Sequence, residues 1–201
     1  MSLDIFSDLD IVLGSQSPRR KKLLESTHIS FRVWVIPVNE NFPPNLPPVE
    51  IAEYLSKQKA AVFKENIPER TIVITADTIV VKDKNILNKA SDESQAFEML
   101  RLLSGTTHEV ITGVCLTSKN RQTCFHEITR VTFKELADDE INYYIQNFKP
   151  FDKAGAYGIQ EWIGAVAVTR VEGSYDNVVG LPVARLIEEL KIFIRKDFFS
   201  I

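Results

Sequence analysis

The chain has 201 residues, 44% hydrophobic and 25% charged, a mixture that suits one large α/β domain or two closely packed lobes. Its formal net charge of -3 gives no global basic field to recruit nucleic acid. No apolar run approaches the ~20 residues that cross a bilayer, and the acidic start MSLDIFSDLD lacks the basic and apolar regions of a signal peptide. A soluble, cytoplasmic protein is expected. Cys115 and Cys124, the two cysteines, have neither metal nor redox-motif spacing, so reduced thiols are expected.

Ile11-Val12-Leu13 reads as a short strand, Gly14 to Ser17 as a turn, and Ser17-Pro18 as the N-cap and first position of a helix. Phe31 to Val38 is rich in β-branched and aromatic residues and predicts a strand. Asn41 to Pro48 holds four prolines and is a stiff loop. Val49 to Lys64 follows with helical periodicity, placing Ile51, Leu55 and Val62 on one stripe. Thr71 to Val81 is a strand; Asp83-Lys84-Asn85 turns it into another, Ile86 to Asn88. Ser91 is expected to cap a helix that begins with Asp92 and Glu93 and ends near Gly105. Strands are predicted at Thr107–Thr117 and Thr123–Phe133, joined through Lys119-Asn120, then a helix over Asp139 to Asn147. The loop Asp152–Gln160 leads into a predicted strand Trp162–Val171, and Pro182 starts a last helix. Hairpins among the helices imply a mixed sheet rather than a pure βαβ repeat.

Three segments carry chemistry. Ser15, Ser17, Arg19 and Arg20 surround a helix N-terminus, where backbone N–H groups and a positive dipole end converge. Two arginines in a first helical turn have the wrong charge for that end, and a bound anion removes the conflict. A solvated surface cluster is the plainer reading. Asp77 interrupts an otherwise buried strand, so its carboxylate should meet a cation, a metal or a set of donors; a structural ion pair would serve equally. Lys59 continues the apolar stripe of its helix and either snorkels to water or points at phosphates. Glu40 and Lys89 sit at strand ends where a metal ligand or a phosphate contact would fit, and neither is distinctive alone. The run Asp152 to Gln160 lets backbone approach a ligand closely. The Gln160 amide suits the edge of uracil or thymine, although the same composition also fits a plain loop. His28, His108 and His126 lack ligand spacing, and no nucleophile elbow or Walker loop occurs, so carboxylate-held Mg²⁺ or Mn²⁺ is the expected metal.

Taken together, Ser15-x-Ser17-Pro18-Arg19-Arg20, Ala76-Asp77-Thr78, Ala154-Gly155-x-Tyr157-Gly158-Ile159-Gln160 and Val179-Gly180-Leu181-Pro182 resemble the Maf family of nucleotide pyrophosphatases. The resemblance runs from Ile11 to about Leu190. It implies a single domain over residues 1–201, built as a two-lobed α/β structure around an elongated mixed sheet flanked by helices. That fold is similar to the inosine-triphosphate pyrophosphatases, with the site in the cleft between lobes and a homodimer common. It further implies catalysis by Asp77, metal binding by Glu40 and Asp77, and substrate binding by Ser15, Ser17, Arg19, Arg20, Lys59 and Lys89. Arg19, Thr78 and Gln160 match the selectivity positions of the branch acting on dTTP and UTP. The chain departs from the family in reading Asn39-Glu40 for Asp-Glu and Lys89-Ala90 for Lys-Pro, so the loop holding Lys89 is expected to be less rigid. The implied reaction splits a pyrimidine triphosphate into the monophosphate and pyrophosphate. The alternative is a nucleotide-binding regulator of septum formation and cell division, which would not need Asp77; nucleic acid and membrane are not expected partners.

Overall fold

The computed structural model describes residues 3–199; Met1 and Ser2 of the acidic start, and Ser200 and Ile201, lie outside the described residues. In chain order the elements are β1 (Asp10–Leu13), α1 (Pro18–Glu25), β2 (Arg32–Val33), α2 (Pro48–Ala61), β3 (Thr71–Lys82), β4 (Asn85–Leu87) and α3 (Glu93–Leu103). They continue as β5 (Thr107–Thr117), β6 (Gln122–Phe133), α4 (Asp138–Phe148), α5 (Trp162–Ala167), β7 (Val168–Glu172), α6 (Tyr175–Val179) and α7 (Val183–Phe198). Short 3₁₀ turns occupy Leu3–Phe6 and Lys64–Asn66.

The sheet has seven strands in the order β2-β1-β3-β5-β6-β7, with β4 beside β3. β1 runs parallel to β2 and β3, whereas β4 is antiparallel to β3 and β7 to β6. The sheet is therefore mixed, as the hairpins implied. The β3–β4 turn works because Asp83 and Lys84 both take positive φ, 49° and 68°, the backbone that a tight hairpin of matching twist requires.

Several expected elements shift. Of the predicted strand Phe31 to Val38, Arg32–Val33 forms a strand at an edge of the sheet, and the Trp34 N–H adds one bond to Leu13 O at 3.1 Å; Pro37 cannot donate to a ladder, and edge strands tolerate such an early end. The predicted strand Trp162–Val171 divides into α5 and β7. The buried residues of α5 are Ile163 and Ala167, four apart, which is the spacing of a helix face rather than a strand face. The cap of α3 is Asp92, whose side chain accepts from the Gln95 N–H at 2.8 Å, while Ser91 donates to Asp92. Pro182 is the N-cap residue of α7 instead of its first turn. Cys115 and Cys124, expected as thiols, form a disulfide with Cα atoms 4.2 Å apart. They oppose each other because the turn at Lys119-Asn120, closed by Ser118 N–H to Arg121 O at 2.8 Å, lies midway between them.

The chain forms two compact units. The first contains the described residues of Met1–Asp77, Thr112–Glu127 and Gly180–Ile201. Its core gathers Ile11, Leu13, Ile72, Ile74, Val114 and Leu116 from three strands against Leu24 of α1 and Leu186, Leu190, Phe193 and Ile194 of α7. The second contains Thr78–Ile111 and Ile128–Val179. Here α3 packs on α4, and Leu100, Leu103, Val131, Phe133, Ile141, Tyr144 and Tyr157 form the core. No described helix is long and apolar enough to cross a membrane.

Candidate active site

In the first unit, two periodicities bring a lysine onto a carboxylate. Alternation along β3 puts Thr75 and Asp77 on one face, and the helical period of α2 puts Ser56 and Lys59 one turn apart on one side. They meet as successive rungs: Thr75 Oγ1 donates to Ser56 O at 2.9 Å, and Lys59 Nζ donates to Asp77 Oδ1. The helix reaches the sheet because β5 carries Gly113 there; a Cβ at that position would lie 2.2 Å from Ala52 O. Lys59 Nζ also contacts Glu40 Oε1 at 2.7 Å. The Asp77 side chain is 11% exposed, that of Lys59 17% and that of Glu40 40%, so the ammonium is drawn inward instead of snorkelling to water. The break in the apolar run of β3 thus meets a cation, as the cost of an unpaired buried carboxylate demands.

The turn before α1 is built as its residues suggest. The Ser17 hydroxyl accepts from the Arg20 N–H at 3.4 Å, and the Ser15 hydroxyl accepts from the Ser17 N–H at 3.2 Å. Arg20 turns back over this cap, donating through Nε to Gly180 O at 2.8 Å and through Nη1 to Ser15 Oγ at 3.4 Å. The first turn of α1 holds no acidic residue. Burial pushes the Arg20 guanidinium below its ordinary pKa; Asp77 and Glu40 oppose the fall and Arg19 adds to it. Ser15, Ser17, Arg19, Arg20, Glu40, Lys59 and Asp77 therefore share one electrostatic neighbourhood within the first unit. Gly180, whose carbonyl holds Arg20, stood out in the sequence only as part of the Val179 to Pro182 run.

Thr78, Lys89 and Gln160 belong to the second unit. Thr78 follows Asp77 on β3 and is partly exposed. Lys89 pairs with Ala154 in an isolated antiparallel bridge, and the Gly155 N–H donates to Leu87 O at 3.0 Å. The segment holding Lys89 is thereby tied to the loop that carries Gln160, and Ala90 is buried where the family often has proline. That loop is a packed structure: Lys153 and residues 155–159 are buried, and Gln160 is exposed. Two further pairings were not read from the sequence, which marked His108 only as lacking ligand spacing. Glu161 and Tyr144 bond to each other beneath the loop, and buried His108 bonds Tyr157 Oη at 2.7 Å. Burial pushes the His108 imidazole down to about 4, with the charge of Lys82 adding to the fall.

Among the described residues, no three His, Cys, Asp or Glu side chains converge as a metal site. Glu40 and Asp77 nevertheless converge on one cation, the Lys59 ammonium. Two hard carboxylate oxygens in the neighbourhood of the Ser15–Arg20 turn are the donor type that suits Mg²⁺ or Mn²⁺, which complete their shells with further oxygens and water.

Residues 10–193 match the family described as Maf-like protein. The chain is 48% identical over 180 residues to the dTTP/UTP pyrophosphatase of Flavobacterium johnsoniae, covering 90% of this chain and 93% of that protein. It is 49% identical over 191 residues to the dTTP/UTP pyrophosphatase of Cytophaga hutchinsonii, covering 95% and 87%. It is 50% identical over 182 residues to that of Phocaeicola vulgatus, covering 90% and 94%. Among solved structures, the Staphylococcus aureus Ham1 protein aligns at a TM-score of 0.45 and 14% identity over 64% of this chain and 72% of that one. That likeness is too weak to bear on fold or activity.

Proposed function

The chain belongs to the Maf-like protein family, and from that premise we propose that it hydrolyses dTTP and UTP to the monophosphate and pyrophosphate. The observation that carries the reading is the Lys59 ammonium held between the carboxylates of Asp77 and Glu40, in the same electrostatic neighbourhood as the Arg20–Ser15 turn. A triphosphate needs cations along its length and a carboxylate where water attacks, and this cluster supplies both. The three relatives are named for hydrolysis, and nothing on the chain favours the regulator of septum formation.

Ser15, Ser17, Arg19 and Arg20 receive phosphate oxygens at the start of α1, with Lys59 and Lys89 as further cations. Glu40 and Asp77 would hold the divalent ion, whose chemistry there is to neutralise phosphate charge and to acidify water. Asp77 accepts the water's proton at a carboxylate oxygen. The water oxygen joins phosphorus, the α–β anhydride bond breaks, and pyrophosphate leaves. Positioning supplies much of the acceleration, because Asp77, Lys59 and Arg20 are already held by neighbours before substrate arrives. Arg19, Thr78 and Gln160 select the base.

Pyrophosphate release from UTP, dTTP, CTP, ATP and GTP, with and without Mg²⁺ or Mn²⁺, tests this. Faster turnover of UTP and dTTP than of CTP, ATP or GTP, abolished by chelator, is the expected result; preference for a purine triphosphate would overturn it. The same reading carries a cytoplasmic location, which cell fractionation checks, and a homodimer, which light scattering on the purified protein checks.

A further inference from the structure

The Lys153, Glu161 and Tyr144 cluster in the second unit has no part in the chemistry above, yet it surrounds the residue assigned to base reading. Glu161 directly follows Gln160 and stands at the N-cap position of α5, but its side chain makes no capping hydrogen bond. Its carboxylate is held at both oxygens instead: Lys153 Nζ lies 3.1 Å from Oε1, and the Tyr144 hydroxyl donates to Oε2. The Tyr144 oxygen in turn accepts the Gly158 N–H at 3.0 Å, and Lys153 also bonds Asp152 Oδ1 at 2.7 Å. One carboxylate thus joins the beginning of the loop, its end and the helix α4 below it.

Gln160 is exposed, but its amide sits over the clamped loop. A Cβ on Gly158 would come within 2.8 Å of Gln160 Nε2 and 2.9 Å of Glu161 Cδ, so the amide and the carboxylate lie together against a bare Cα. The Lys153 side chain is 9% exposed, that of Glu161 20%, and Tyr144 is fully buried. Burial pushes the Tyr144 phenol up, and Glu161 adds to the rise, so it remains a neutral donor at any working pH. Ion pairs this enclosed contribute little net stability against their desolvation, so the worth of this one lies in the conformation it holds.

We propose that Glu161 is a positioning residue for base selection: by bonding Lys153 and Tyr144 it fixes the loop so that the Gln160 amide presents a donor and an acceptor in the one orientation that uracil and thymine satisfy. The inference rests on the reading of Gln160 as the base-contacting residue. Cytosine, with an acceptor at N3 and an amino group at position 4, gains most when the amide is free to reorient. Loosening the clamp therefore erodes selectivity before it erodes turnover.

Steady-state kinetics on UTP and CTP for wild type, Glu161→Gln, Tyr144→Phe, Gln160→Leu and Met99→Ala test it, each protein assayed well below its own melting temperature. Glu161→Gln keeps the shape and removes the ion pair; Tyr144→Phe removes the donor to Glu161 and the acceptor for Gly158, and carries the test if the first variant does not fold. Met99→Ala destabilises the same unit from α3, which carries none of the clamp residues. The UTP/CTP ratio of kcat/KM is expected to fall about three- to tenfold in both clamp variants, the scale of one poorly held hydrogen-bond pair, through KM for UTP more than kcat. Met99→Ala keeps the wild-type ratio. An unchanged ratio in both clamp variants, with a lowered one in Gln160→Leu, overturns the role of Glu161 and leaves the base-reading assignment standing. An unchanged ratio in Gln160→Leu removes that assignment and this inference with it. A fall in Met99→Ala equal to that of the clamp variants reduces the effect to general loosening and also overturns the proposal.

Discussion

Replacing Lys59 by Met should turn a self-neutralised cluster into an open divalent-ion site. The substitution keeps a linear apolar stem and deletes the Lys59 ammonium shared by Asp77 and Glu40. Removing one partner of a buried ion pair costs about 3–5 kcal/mol. The Glu40 side chain, 40% exposed, can rehydrate, whereas Asp77 at 11% cannot. The expected loss is therefore about 2–3 kcal/mol, nearly all of it from Asp77. At roughly 2–4 °C per kcal/mol for a chain of this size, the variant melts about 4–12 °C below wild type in chelator. Mn²⁺ at a hundredfold over its Kd returns ~2.7 kcal/mol, enough to recover most of that deficit. In wild type the same ion must first displace Lys59, so its stabilisation is smaller. Differential scanning calorimetry of both proteins across a Mn²⁺ titration, without nucleotide, measures this directly. Equal Mn²⁺-induced shifts in the two proteins would refute the reasoning.

Asp77→Asn should keep the bond from Lys59, now to an amide oxygen, and so retain fold and UTP binding while losing two to four decades of turnover, about 3–5 kcal/mol; turnover within a few-fold of wild type removes Asp77 from catalysis. Arg20→Ala is expected to weaken triphosphate binding far more than monophosphate binding, by about 1.5–3 kcal/mol and less at high salt, and calorimetry showing equal weakening of both would place Arg20 elsewhere. His108 supplies a pH signature of stability. Its folded pKa of about 4 lies below the ordinary value of 6.5, so the unfolded chain binds the extra proton between those values. Its contribution is complete above 6.5, declines as pH falls through that window, and is constant below about 4. The loss reaches up to about 3 kcal/mol. Melting temperatures from pH 7 to 4 should therefore drop more steeply for wild type than for His108→Gln, and parallel curves would contradict this.

What could be read from the sequence was what neighbours along the chain decide. The cap at Ser17, the turn at Asp83-Lys84 and the carboxylate interrupting β3 depend on local composition, and they stand where expected. Lys59 was half legible: its place on an apolar stripe marked it, but only the docking of α2 on β3, permitted by Gly113, sends it to Asp77. Trp162 to Val171 misled because β-branched composition outweighed the four-residue interval between Ile163 and Ala167. The disulfide depended on the hairpin register, which a spacing of nine residues does not reveal. Glu161 escaped because its partners, Tyr144 and Lys153, come from a helix and from the far end of a loop.

The bond from Arg20 to Gly180 joins residues 160 positions apart, and this has a bearing on synthesis. The N-terminal turn leaves the ribosome early, but the carbonyl that orients its arginine is made at roughly 5–20 residues per second, some 10 to 30 s later. Leu186, Leu190, Phe193 and Ile194, which close the core over β1 and α1, arrive later still. The first unit therefore cannot fold cotranslationally as its own residues emerge. A nascent chain exposes the apolar side of β1 and β3 to chaperones until α7 docks, and the triphosphate grip proposed for Arg20 waits until Gly180 and α7 have been made. Ribosome-stalled chains ending before Gly180 should accordingly be protease-sensitive in β1 and unable to retain UTP.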